Sequence, residues 1–160
     1  MIVLRYLYVL ALVAWLGGML TLALLVAPAV FAVLPAHEAM GGTALAGAVF
    51  GEILRTFHLG AYACGGVMLG TLFGMRVLGP KPVHFNARLV LVLAMLATAI
   101  YSGVSVSGRL ERLPPSGAVS GRAVGAVHDS PFQRLHNLST ALMMVNVAGG
   151  LSLLYWEARE

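Results

Sequence analysis

Between Arg5 and Glu38 the chain carries no formal charge, and the stretch from about Leu4 to Leu34 is almost wholly apolar. A secretory signal has an apolar core of only about 7–15 residues, and about 20 apolar residues suffice to cross the ~30 Å hydrocarbon layer of a bilayer. This stretch is therefore read as a permanent membrane-spanning helix. Tyr6 and Tyr8 are placed to anchor its first interface, and Pro28 to kink its far end, where a bundle absorbs the missing hydrogen bond.

Composition extends the reading to the whole chain. Of 160 residues, 59% are hydrophobic and 10% charged, against about 25% charged in a soluble domain. No polar shell can be built from that. The pattern predicts an all-α membrane protein, one transmembrane domain over residues 1–160 folded as an antiparallel four-helix transmembrane bundle. Spans are expected at about 4–34, 55–78, 85–107 and 132–156, with a polar loop at 108–131. The Ala- and Gly-rich segment Pro35 to Glu52 is expected as a short interfacial helix between helices 1 and 2, or as an extension of the second span. Gly79-Pro80-Lys81-Pro82 reads as a hard turn. Ser130-Pro131 supplies an N-cap followed by proline at the first helical position, and Tyr155 and Trp156 an aromatic belt at the last interface. Gly66, Gly70 and Gly74 share one face of the second span. That face suits tight packing inside the bundle, and equally a homodimer.

Ten Lys+Arg stand against six Asp+Glu, and the pI is 9.7. No basic run is present, so the excess reflects membrane topology and not nucleic-acid binding. Four spans put both termini on one side, with Arg5, Arg76, Lys81, Arg88 and Arg159. The other side holds Arg55, Arg109, Arg112, Arg122 and Arg134. Totals are equal, but Arg76, Lys81 and Arg88 cluster around one turn without an acid, while Glu38, Glu52, Glu111 and Asp129 lie opposite. Cytoplasmic termini in a bacterial inner membrane are the expectation.

Soluble-enzyme motifs are missing from the sequence: no nucleophile elbow, no phosphate-cradling glycine loop, and no carboxylate pair within a span. The lone Cys64 excludes an internal disulfide. His37, His84 and His128 fall in connections and are expected at the solvated surface. His58 and His136 fall about one turn inside their spans, entering from the same side. Ionisable groups at such positions usually face the bundle interior and often mark function. Tyr62 shares a face with His58, Ser139 and Thr140 share one with His136, and Tyr101 to Ser105 reach the same leaflet. A polar layer at one depth is the result expected.

Two facing imidazoles can hold a b-type haem in an apolar bundle, with Arg55 and Arg134 placed to pair with its propionates. Met68, Met143 and Met144 would line the ring, or simply pack. Copper or zinc is the other metal reading; zinc wants three or four protein ligands, which only His128, Asp129 or His37 could complete. The alternative is that His58 and His136 hydrogen-bond across the bundle and hold it together. Asn146 is expected to bond between helices.

Trp15-Leu16-Gly17-Gly18, Val26-Ala27-Pro28-Ala29-Val30-Phe31, Phe57-His58, and Phe132-x-x-Leu135-His136-x-x-Ser139 with Asn146 and Gly150 resemble the transmembrane protein 205-like family. The resemblance spans most of the chain outside Arg109–Ser130. It implies a four-helix bundle and singles out His58 and His136, without supplying an activity. That family is similar in build to the copper-resistance D and HemJ groups, an analogy of fold alone. Three readings follow: a bis-histidine haem protein carrying electrons or serving as an accessory subunit, a cofactor-free membrane subunit, and a HemJ-like porphyrin-oxidising enzyme or copper-handling protein.

Overall fold

A computed structural model describes residues 2–37, 41–79, 84–106 and 131–159, without the side chains of 105–106, 131–133, 135 and 136. The described residues form helices α1 (Ile2–Thr21), α2 (Ala27–His37), α3 (Gly42–Leu78), α4 (Phe85–Tyr101) and α5 (Pro131–Ala158). Four helical rods are long and apolar enough to cross a membrane: Ile2–His37, Gly42–Leu78, Phe85–Val104 and Asn137–Ala158. The chain is an all-helical integral membrane protein.

α1 and α2 make one rod because Leu22–Val26 bridges them as a π-helical turn, in which the Ala27 N–H donates to the Leu22 carbonyl. Proline at 28 has no N–H to give the previous turn, and a wider turn just before it accommodates that loss without a break. Pro28 thus changes the helical register where a kink was expected. A second π turn, Ser102–Val106, continues α4.

Contacts between neighbouring rods run in opposite sequence order. Against α3, Leu34 and Pro35 meet Gly42, Phe57 meets Gly18, Trp15 meets Gly65, and Leu4 meets Gly74. Between α3 and α4, Leu96 meets Gly65 and Phe73 meets Phe85. Between α4 and α5, Met95 meets Gly149 and His84 meets Trp156. Tyr8, Leu12, Trp15, Met68, Leu72, Val92, Met95 and Leu153 form the centre of the core.

Several expectations are corrected. Gly42–Leu78 is one 37-residue helix, so the segment expected as a short interfacial helix is the first part of α3. It begins after Gly41, whose φ of 104° suits glycine in the turn. At about 1.5 Å rise per residue, α3 is about 55 Å long, well beyond the hydrocarbon layer. Its first turns pair with α2 through Phe31 and Phe50, past the end of α4. Gly66 and Gly70 face open space, and the close approaches fall on Gly18, Gly65, Gly103, Gly149 and Gly150. Tyr6 is exposed as an anchor should be, but Tyr8 is completely buried. Pro131 does open α5; Ser130, Pro80, Lys81 and Pro82 lie outside the described residues.

Candidate functional site

The α3–α4 contact brings three residues together at the end away from the termini. His58, 8% exposed, lies one turn from Tyr62 on the same face of α3, and their rings sit 6.1 Å apart. Facing them is Gly103, in the π turn that ends α4. A β-carbon there would lie 3.1 and 3.2 Å from His58 Cδ2 and Cγ and would overlap the Tyr62 hydroxyl. The missing side chain lets the α4 backbone seat on both rings, and Tyr62 Oη donates to the Ala99 carbonyl at 3.4 Å. π turns recur at functional sites because they re-aim a short stretch of helix.

His58 Nδ1 is 2.8 Å from the Leu54 carbonyl. A carbonyl only accepts, so Nδ1 carries the hydrogen, and Nε2 of the neutral ring holds the lone pair. This is the tautomer that a metal-ligating imidazole also needs.

His136 lies on α5, but its side chain is outside the described residues. Helical register still places its backbone. Asn146 lies opposite Thr98, to which its Nδ2 donates at 2.8 Å; the expected interhelical bond is present. His58 lies opposite Gly103, five residues beyond Thr98, while His136 is ten residues before Asn146. His136 therefore sits about 7 Å further from the termini than His58. The π turn of α4 touches both α3 and α5, so polypeptide occupies the space between the two histidine-bearing helices.

The remaining members of the expected layer divide. Tyr101 and Thr140 are exposed, and Ser102 and Ser139 half-buried. Arg134 is exposed. Arg55 forks onto Glu52 of its own helix, at 3.0 and 2.8 Å. Met68 is in the core and Met144 exposed. His37 and His84 are at the surface as expected, whereas His128 and Asp129 lie outside the described residues. Among the described residues no three His, Cys, Asp or Glu side chains converge as a metal site would require.

A second polar cluster, at the end holding the termini, was not anticipated. Arg88 is 1% exposed and Glu157 7%, and Arg88 Nη1 donates to Glu157 Oε2 at 2.6 Å. Arg5 pairs with the other carboxylate oxygen through Nε and reaches the Glu157 backbone carbonyl through Nη2 at 3.0 Å. The Arg88 guanidinium lies 6.0 Å from the centre of the Tyr8 ring. Three helices, α1, α4 and α5, are tied at one point. This corrects two expectations: the bundle is not purely apolar at this end, and Arg88 is an internal charge instead of one exposed beside the 79–82 turn. One signal was available in the sequence. Arg5 and Arg88 stand in first helical turns and Glu157 in a last turn, each at the end that its helix dipole disfavours, so each needs a partner.

No curated protein matches the chain, and no solved structure matches it. The region from the middle of α1 to just beyond α4, which contains His58, Tyr62, Arg88 and Gly103, is where a family match falls. Residues 10–114, more than half of the sequence, match a domain of unknown function, DUF4149, and the chain belongs to that family.

Proposed function

We propose that the protein is an antiparallel four-helix bundle of the bacterial inner membrane, with cytoplasmic termini, that works without a cofactor as an accessory or assembly subunit. The observation that carries this reading is the seating of the α4 backbone at Gly103 directly on His58 and Tyr62. Together with the α4 turn lying between α3 and α5, it argues against a haem held by His58 and His136, and it makes the histidine layer a packing device. The outward Gly66 and Gly70 support association, as a homodimer or with other membrane subunits, because glycine faces let helices approach closely in lipid. Within its family the chain is similar to the transmembrane protein 205-like proteins. Arg76 and Arg159, both exposed on the side of the termini, support the orientation.

A second reading is favoured by one observation. The lone pair on His58 Nε2 suits a ligand of haem b or copper, in an electron carrier or a HemJ-like enzyme. A visible spectrum of the purified chain with added haem separates the two. The packing reading expects no sharp bands on reduction. It also expects His58→Leu to cost about 1 kcal/mol of stability for the lost hydrogen bond. Sharp reduced bands in the parent protein that vanish in His58→Leu would overturn it.

A further inference from the structure

We infer that the end of the bundle holding the termini binds an anionic phospholipid, its headgroup on Arg5 and an acyl chain along α1. Charge is the first argument. Arg5, Arg76, Arg88 and Arg159 gather at this end, and among the described residues the acid facing them is Glu157. One carboxylate cannot balance four guanidiniums. Arg76 and Arg159 are steadied over the Phe85 and Tyr155 rings, 4.9 and 5.1 Å from the centroids, so their charge stays at the rim. Basic clusters at the edge of transmembrane bundles attract anionic headgroups, each cation contributing about 1 kcal/mol.

Shape is the second argument. Ile2, Arg5, Tyr6 and Val9 line an open crease of about 280 Å³ on the outer face of α1. Its walls are apolar apart from Arg5 and the Tyr6 hydroxyl, and it runs along the helix as an acyl chain would. The Arg5 side chain is 43% exposed. One edge of its guanidinium is turned to Glu157 and the rest faces outward, joining the buried ion cluster to the lipid side of the bundle. A free anion would use the charge but not the crease; a neutral lipid would use the crease but not the charge.

Native mass spectrometry of the full chain, released from micelles containing equal phosphatidylglycerol and phosphatidylcholine, tests this. The protein should retain phosphatidylglycerol preferentially; equal retention of the two lipids overturns the site. Arg5→Gln should weaken the preference about fivefold, with Arg76→Gln as control. An Arg76→Gln loss as large as that of Arg5→Gln would mean diffuse attraction to the rim, and would also overturn it. Inorganic phosphate should leave the lipid bound; complete displacement would make the ligand a simple anion. Because the preference is first read on the unaltered protein, a misfolded Arg5→Gln variant leaves that comparison decisive.

Discussion

At the end holding the termini, Arg5, Arg88 and Glu157 come from three helices and close on one another as charges. At the opposite end, His58 and Tyr62 come from a single helix and close on the bare backbone of a second. Both clusters are polar, and both lie where helices are in contact. They differ in what they demand of their surroundings. Buried charges must find opposite charges or lose several kcal/mol each to desolvation. A neutral imidazole with one hydrogen bond to its own helix demands little beyond space. The first arrangement fixes which helix ends meet; the second depends on α4 having no side chain at one position.

The largest effect should come from separating the charged cluster. Glu157→Leu leaves Arg88 buried beside Tyr8 without its carboxylate, and breaking such a pair costs about 3–5 kcal/mol. Thermal or denaturant unfolding in a fixed micelle would measure it. The double variant Arg88→Met, Glu157→Leu should recover most of that loss, because apolar replacements of a buried pair are often neutral. If the double variant is as unstable as the single, the cluster does not act as a coupled pair and the contrast between the two ends fails.

The histidine end should respond to size instead of charge. Gly103→Ala inserts a β-carbon where the Tyr62 hydroxyl lies, and overpacking of this kind costs about 1–3 kcal/mol. Tyr62→Phe removes the overlapping oxygen, so the pair of substitutions together should cost less than their sum, a non-additivity readable in a double-mutant cycle. Additive losses would mean that α4 adjusts freely at its π turn and that Gly103 is not what seats it.

How much of this could be read from the sequence follows from the range of each interaction. The four rods were legible because the absence of charge over twenty or more residues is a local property. The start of α5 at Pro131 and the reach of Asn146 to another helix were legible for the same reason: a proline or a mid-span amide announces its own need. The partners of glycines were not. Gly65 and Gly66 are adjacent and chemically identical, yet one is packed against Trp15 and Leu96 and the other faces open space. Regular spacing pointed to Gly66 and Gly70, while the rotation of α3 selected Gly65. Arg88 and Glu157 are 69 residues apart, and nothing local distinguishes them from solvated ends except their position against the helix dipole. The fold was therefore largely visible, and the candidate site only at His58 and Tyr62.

The smallest expected effect isolates burial as the variable. Glu52 and Arg55 form the same kind of ion pair as Glu157 and Arg88, with two bonds of 3.0 and 2.8 Å in place of one of 2.6 Å. Both side chains are more than half exposed, at 63% and 69%. Solvent already stabilises each charge, and fixing two long side chains offsets the attraction, so exposed pairs of this kind contribute little. Glu52→Gln should leave the unfolding midpoint unchanged within error, at low or high salt. A loss comparable to that of Glu157→Leu would show that the Glu52–Arg55 surface is covered in the working protein. In that case α3 would have its partner at this end, beside the first turns that project past α4.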